Sequence, residues 1–214
     1  MGRRLIDSLS TVTMAVIDFE YTTPTGAPKE PFEVAVQVLH VEHGKINLGA
    51  EFEALMRPPA HAALTVFDTG QTGITPEMVA EQPPATEVLA RLDRRFTAGP
   101  YVLIAHHAPA EAGVLSAYRQ SCPNLARLPI LDTVRLARDL YPDLPKHSLD
   151  QIVRHLGIPA PPDRHRAGAD VRLTAEIFIR MVTDSTTWMN LDHLRAIAGY
   201  TPQAPPPEQT TLFD

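Results

Sequence analysis

The segment from Met14 to Glu20 limits the possible folds of this chain more than any other stretch of its sequence. It is apolar except for Asp18 and Glu20 and leads into a polar loop, as expected for a β-strand. Because successive side chains of a strand point to opposite faces, Asp18 and Glu20 share one face. Such a pair either binds a hard cation through carboxylate oxygens or marks a strand end that reaches water, and both interpretations stay open.

The rest of the chain combines further strand patterns with helix patterns, which predicts an α/β fold in one domain. Segments 34–42 and 48–56, joined by turn residues, are typical of a hairpin. The short apolar run 101–105 is typical of a buried parallel strand, and 129–131 predicts another short strand. The polar residues after 105 should therefore lie at the edge of a sheet, where sites are often found.

Capping residues and apolar stripes predict the helices. They indicate a helix capped by Thr75, one containing Val88, Leu89, Leu92 and Phe96, one over 134–140, one begun by a capping box of Ser148 and Gln151, and a final helix over 168–182.

Composition excludes several classes of protein. With 214 residues, 44% of them hydrophobic and 21% charged, the chain has the usual globular mixture rather than a disordered one. It has no apolar run near the ~20 residues that span a bilayer and no signal-peptide pattern at its start, so we expect a soluble, cytoplasmic protein without membrane contact. Cys122 is the single cysteine, which excludes an internal disulfide and a cysteine-built zinc site and predicts an inert thiol.

The charge balance narrows the expected partners. A net charge of −6 argues against a passive nucleic-acid binder, because such proteins usually present a basic surface to phosphate. It does not exclude a metal-dependent nuclease, since about two divalent cations among carboxylates make an acidic cleft attractive to phosphate.

Two later elements carry further candidate site residues. Glu111 follows His106 and His107 beyond the strand 101–105, and it is either a ligand or a first-turn acid favoured by the helix dipole. His165 precedes the last predicted helix and Asp170 lies in its first turn. Taken alone, the pattern favours a surface histidine at His165 over a site residue.

In this order, the three elements resemble the DEDDh exonuclease family, which includes the proofreading epsilon subunit of bacterial DNA polymerase III. The resemblance covers roughly 14–182 and includes the segment 72–79, the Leu131-Asp132-Thr133 element and the helix start at Ser148. It implies a ribonuclease H-like fold, a mixed sheet flanked by helices, and removal of nucleoside monophosphates from a 3′ end, most simply of single-stranded DNA.

The resemblance also implies roles for individual residues. Asp18, Glu20, Glu111 and Asp170 would bind two divalent cations, Mg²⁺ or Mn²⁺, and His165 would be the general base. The nucleic acid would lie against Phe19, Tyr21, Thr22, His106 and His107. Core packing is an equal alternative for Phe19. A zinc site using His106, His107 and His165 is a further alternative, although the oxygen-rich remainder favours magnesium or manganese.

The second motif departs from the family pattern. The family has Asp where Glu111 stands, usually an aromatic residue at Ala110 and commonly Asn at His107. Glu is one methylene longer than Asp, so Glu111 reaches a cation only if the backbone or the metal shifts. Two alternatives therefore stand beside a DNA exonuclease: an RNA-trimming enzyme and a catalytically weakened module that binds nucleic acid or a clamp.

The C-terminal segments complete the predicted organisation: an exonuclease domain over 12–184, a helical extension over 185–200 and a flexible Pro-rich tail over 201–214. Gln209, Leu212 and Phe213 resemble the short peptide with which bacterial replication proteins bind the sliding clamp. A clamp or polymerase is thus a candidate partner, and chance occurrence of so short a motif is the alternative.

Overall fold

The computed structural model describes residues 2–161 and 164–201. The strands are β1 (Thr13–Thr22), β2 (Glu30–Glu42), β3 (Lys45–Leu55), β4 (Tyr101–Ala105), β5 (Ile130–Asp132) and β6 (Gly199–Tyr200). The helices are α1 (Gly2–Leu9), α2 (Val66–Thr72), α3 (Pro76–Ala80), α4 (Ala85–Asp93), α5 (Pro109–Ala117), α6 (Thr133–Leu140), α7 (Leu149–His155), α8 (Ala167–Asp184) and α9 (Leu191–Ala198).

The strands form one mixed sheet in the order β3-β2-β1-β4-β5-β6. Strand β2 is antiparallel to its two neighbours β1 and β3, and β4 and β5 run parallel to β1. This arrangement, with helices on both sides, confirms the predicted ribonuclease H-like fold. The predicted hairpin and the two parallel strands are also confirmed.

Strand β1 is buried on both faces of the sheet. Met14 and Val16 pack in the core formed with α1, α8 and α9, whereas Ala15, Ile17 and Phe19 pack in the core formed with α4 and α5. Asp18 and Glu20 are an even number of residues away from Met14 and Val16, so they lie on the same face of the strand. Their side chains therefore continue the face that α8 covers, and α8 is the helix that carries Asp170.

Side-chain capping fixes several helix starts where the sequence predicts them. Thr75 accepts a hydrogen bond from the Met78 N–H, and Asp132 accepts one from the Val134 N–H. The predicted capping box at Ser148 is wrong: Ser148 lies at the N-cap without a side-chain cap bond. The Gln151 side chain instead accepts a hydrogen bond from Arg154 at 3.0 Å, which removes it from the box.

Other elements differ from the sequence patterns. Helices α1 and α2 are not predicted, and Phe96 lies beyond the end of α4 although it is buried. Segment 185–200 contains α9 and β6, and Leu191 and Leu194 pack in the α8-side core. Within 2–161 and 164–201, no helix is both long and apolar enough to cross a bilayer.

Two sequence predictions concern residues away from the sheet. Cys122 is buried, and burial raises the pKa of its thiol to about 12, as expected for an inert thiol. Gln209, Leu212 and Phe213 lie outside the described residues.

Candidate active site

A cleft of about 600 Å³ opens where β1 and β4 end and where α5 and α8 begin. It is lined by Asp18, Phe19, Glu20, Tyr21, Thr22, Thr23, Thr65, Phe67, Asp68, Gln71, His106, His107, Ala110, Glu111 and Asp170. The structure thus brings together all the sequence-predicted site residues within 2–201 except His165.

Asp18, Glu20 and Asp170 form the tightest acidic group of this cleft. One carboxylate oxygen from each lies within 4.8 Å of the others. The grouping follows from the fold, because β1 directs its two acids toward α8 and Asp170 lies in the first turn of that helix. Among the described residues, this group offers only carboxylate oxygens as ligands and contains no histidine, which favours a hard cation over zinc.

Glu111 adds a fourth carboxylate from the opposite side of the cleft. It lies in the first turn of α5, is buried, and its Oε2 has no hydrogen-bond partner among the described residues. The pKa of Glu111 is raised to about 8, mainly by burial and to a smaller extent by Asp132, although a backbone hydrogen bond and the positive charge of Lys29 act in the opposite direction. An orphaned, buried carboxylate oxygen facing other acids needs a cation or a proton.

The electrostatics of the β1 acids lead to the same conclusion. Burial raises the pKa of Asp18 well above its usual value, and the negative charges of Glu111, Glu20 and Asp170 add to the increase. Burial also raises the pKa of Glu20 to about 8, with contributions from Asp170 and Glu33. Four carboxylates that repel one another in this way fit a site for divalent cations.

His106 and His107 follow β4 but differ in environment. The His106 Nδ1 lies 2.9 Å from Thr133 Oγ1, and its Nε2 is buried without a partner among the described residues. Burial lowers the pKa of His106 to about 4, so its ring is neutral at physiological pH. His107 is exposed, has a left-handed backbone with φ 79°, and donates its backbone N–H to Asp132 at 3.2 Å.

His165 is not among the described residues that line the cleft. It is half-buried and has a left-handed backbone with φ 66°, which is uncommon for a residue other than glycine. Its two neighbours are anchored: Arg164 pairs with Asp150 and Asp170, and Arg166 pairs with Glu33. The loop that carries His165 is therefore fixed by ion pairs immediately beside the acidic group.

Phe19, Tyr21 and Thr22 lie along the cleft beside the β1 acids. Phe19 is buried in the core as well as lining the cleft, so the core-packing alternative for it is confirmed without excluding a contact role. The Tyr21 hydroxyl accepts a hydrogen bond from Lys29 Nζ at 2.7 Å, and this ammonium also lies 3.9 Å from the Tyr21 ring centroid. Lys29 thus supplies positive charge close to an otherwise acidic cleft.

One wall of the cleft, formed by α2 and its N-cap residue, was not predicted from the sequence. Thr65, Phe67, Asp68 and Gln71 line the cleft from this side. The missed signal was a capping box, in which Thr65 and Asp68 bond each other's backbone N–H groups.

The family model of the exonucleases, RNase_T, matches residues 15–178. Relatives include the PolC-type DNA polymerase III of Streptococcus suis, 30% identical over 190 residues, and that of Streptococcus pneumoniae serotype 4, 32% identical over 181 residues. These matches span 88% and 82% of this chain but 12% of each relative. The chain therefore corresponds to about an eighth of the polymerases' length.

Solved structures show the same fold. The nuclease domain of 3′hExo, a DEDDh family member bound to rAMP, has a TM-score of 0.68 at 21% identity and covers 81% of this chain and 92% of its own. Exonuclease X in complex with 5′-overhanging duplex DNA has a TM-score of 0.62 at 22% identity and covers 86% and 98%. The sequence order of the motifs, the family match and the fold agree, and the chain belongs to the DEDDh exonuclease family of nucleases.

Proposed function

We propose that this protein is a metal-dependent 3′-to-5′ exonuclease that releases nucleoside monophosphates from DNA ends in proofreading or repair. The observation that carries the proposal is the convergence of Asp18, Glu20 and Asp170 within 4.8 Å in a cleft that also contains buried Glu111. DNA is favoured as substrate because the relatives at 30–32% identity are DNA polymerases. A substrate of this kind accords with a cytoplasmic location.

Asp18, Glu20, Glu111 and Asp170 would hold two divalent cations, Mg²⁺ or Mn²⁺. When bound, these cations lower the pKa of water and balance negative charge on a phosphoryl group in transfer. The orphaned Oε2 of Glu111 and the raised pKa values of the acids support this assignment.

His165 would accept the proton of the attacking water. A neutral imidazole suits this step near neutral pH. The ion pairs of Arg164 and Arg166 fix the loop that carries His165 next to Asp170 in the sequence and in space. Phe19, Tyr21, Thr22, His106 and His107 would border the terminal nucleotide.

The test is hydrolysis of DNA and RNA oligonucleotides in Mg²⁺ or Mn²⁺. A 5′-labelled strand should give a ladder of progressively shorter products, and a phosphorothioate at its 3′-terminal linkage should block the reaction, whereas one at the 5′ end should not. Asp18→Asn should abolish release. Asp143→Asn, at an exposed position outside the cleft, is the matched control.

Each result separates the candidates. Faster cleavage of RNA than of DNA would replace the DNA exonuclease with the RNA-trimming enzyme. Binding without hydrolysis in either metal would favour the weakened module. Cleavage by Asp18→Asn at the wild-type rate would contradict the proposed metal site.

We further propose that the C-terminal tail binds a bacterial sliding clamp. Leu212 and Phe213 would fill an apolar pocket and Gln209 would bond at its rim, with the preceding prolines as a stiff spacer. A peptide this short should bind with micromolar affinity, about −8 kcal/mol. Calorimetry with the 208–214 peptide tests this, and equal binding by a peptide with both hydrophobic residues replaced by Ala would contradict it.

A further inference from the structure

Helix α2 exposes two large hydrophobic side chains next to the cleft. Val66 is 92% exposed and Phe67 is 73% exposed. Only Phe67 of the two is among the residues that line the cleft, together with Thr65, Asp68 and Gln71. An exposed aromatic ring that continues the wall of a ligand cleft indicates a contact surface for the ligand.

The backbone beneath Phe67 is fixed at both ends of the helix. Thr65 N donates to Asp68 Oδ2 at 2.8 Å, and Asp68 N donates to Thr65 Oγ1 at 3.2 Å. Gly73 ends the helix in the left-handed conformation, and its N–H donates to Thr69 O. The backbone that carries Phe67 is therefore in place before any ligand arrives, which lowers the entropic cost of a contact.

Charge and depth indicate which part of a nucleic acid meets this ring. The Asp68 carboxylate lies beside Phe67 in the cleft wall and disfavours a phosphate there, whereas a flat apolar ring favours a nucleobase. The acids lie deeper in the cleft, with Asp170 and Glu111 buried and Asp18 and Glu20 half-buried, whereas Phe67 is 73% exposed and lies at the rim. If the 3′-terminal nucleotide is bound at the acids, the nucleotide that precedes it in the strand lies at the rim, next to Phe67.

We propose that Phe67 is a stacking platform for the base of the nucleotide next to the 3′-terminal one. The inference rests on the proposed exonuclease function and extends it with a second base-binding subsite. It makes a single-stranded end of at least two nucleotides the preferred substrate over an isolated nucleotide ester. Stacking is tolerant of base identity, so the subsite adds affinity without a sequence preference.

The experiment makes two changes, singly and together: Phe67→Ala in the protein, and an abasic residue at the second position from the 3′ end of a single-stranded DNA. It is a double-mutant cycle that measures whether the ring and that base interact. Loss of either partner should lower kcat/KM by about tenfold, and loss of both should cost no more than loss of one. Phe67→Trp should retain the wild-type value. Hydrolysis of the p-nitrophenyl ester of thymidine 5′-monophosphate, which has one nucleotide, should be unchanged in Phe67→Ala.

Val66→Ala is the matched control, because this neighbour is more exposed but does not line the cleft. The platform is contradicted if Phe67→Ala slows hydrolysis of the ester and of the oligonucleotide equally. It is also contradicted if the fold-losses in kcat/KM caused by the variant and by the abasic site multiply when the two are combined, because the ring and the base would then act independently. Fluorescence anisotropy with the same oligonucleotides repeats the cycle without catalysis. A wild type that binds but hydrolyses neither substrate would contradict the proposed function, while the anisotropy cycle would still decide the platform.

Discussion

Glu111 has one more methylene than the aspartate that the family places at this position, and it is also more enclosed than the acids of β1. Its buried Oε2 lacks a hydrogen-bond partner among the described residues, and its pKa is raised to about 8 by burial. A ligand of this kind has to bring its oxygen to the cation from a fixed helix turn. The choice of metal should therefore depend on how much distortion of its coordination the cation tolerates.

We expect Glu111→Asp to raise the Mg²⁺-supported rate or leave it unchanged, and Glu111→Gln to lower the rate in both metals by at least about tenfold. Mn²⁺ should support the wild type better than Mg²⁺, which demands a nearly ideal octahedron. Steady-state hydrolysis of an oligonucleotide in each metal measures these effects. Full activity of Glu111→Gln in both metals would show that Glu111 is not a ligand.

Glu33 lies beneath the loop that carries His165. Its side chain is 4% exposed and accepts hydrogen bonds from Arg166 Nη2 at 2.6 Å, from Arg166 Nε at 3.0 Å and from the Ala167 N–H at 2.9 Å. The three donors belong to Arg166 and Ala167, the two residues that follow His165. Glu33 is therefore a positioning residue for a histidine with an uncommon backbone conformation.

Glu33→Gln should lower the free energy of unfolding by about 1–3 kcal/mol, because charged hydrogen bonds are lost in a buried place. It should also reduce kcat more than it changes KM and broaden the pH dependence of the rate. Glu53→Gln is the matched control, because it breaks a half-exposed ion pair between β3 and Arg172 of α8. It should lower the free energy of unfolding by about 0–1 kcal/mol and leave kcat unchanged. Equal kcat in wild type and Glu33→Gln would remove the positioning role.

At the scale of elements, local patterns predicted those that the cleft depends on most. Periodicity and flanking residues indicated β1, β4, α5 and α8, and with them the carboxylates Asp18, Glu20, Glu111 and Asp170 that the structure brings into one cleft. They did not reveal α2, because its short polar sequence lacks an apolar stripe.

The position of His165 could not be predicted either, since it depends on the contact of Arg166 with Glu33, far away in the sequence. The capping box at Ser148 failed for a different reason. Arg154, three residues further along the same helix, donates a hydrogen bond to the Gln151 side chain, and the capping pattern alone takes no account of this local competitor.

The segment before α9 fixes the C-terminal elements to the core. Trp188 is 1% exposed, and its indole N–H donates to Asp139 Oδ2 of α6 at 2.7 Å. Trp188→Phe should lower the free energy of unfolding by about 1–3 kcal/mol, since it leaves a cavity in the core and loses the hydrogen bond to the exposed carboxylate of Asp139. Urea unfolding followed by circular dichroism measures this.

Met189→Leu is the control for this substitution. The Met189 side chain, next to Trp188 in the sequence, is 56% exposed, so its replacement should lower the free energy of unfolding by less than about 0.5 kcal/mol. The rate of hydrolysis by folded Trp188→Phe should equal that of the wild type, because neither Trp188 nor Asp139 lines the cleft. A small change in stability would mean that the C-terminal elements are only loosely attached.

For the molecule as a whole, the acids of the cleft should make stability depend on pH and on metal. The raised pKa values of Asp18, Glu20 and Glu111 mean that the folded protein binds more protons than the unfolded chain, so stability falls as pH rises toward about 8. His106, with its pKa lowered to about 4, has the opposite effect up to the ordinary value of 6.5. Above 6.5 the effect of the acids outweighs that of His106.

We therefore expect the melting temperature in EDTA to fall between pH 6.5 and 8. Mg²⁺ or Mn²⁺ should restore it, and by more at pH 8 than at pH 6.5, because a cation binds the ionised carboxylates and binding to the folded state adds to stability. Glu20→Gln, which removes one of the titrating groups, should flatten the decrease in EDTA and weaken the restoration by metal. Thermal unfolding at the two pH values, with EDTA or with metal, measures all three effects. A melting temperature that rises with pH in EDTA, or a metal effect as large in Glu20→Gln as in the wild type, would mean that these acids do not form a common cation site.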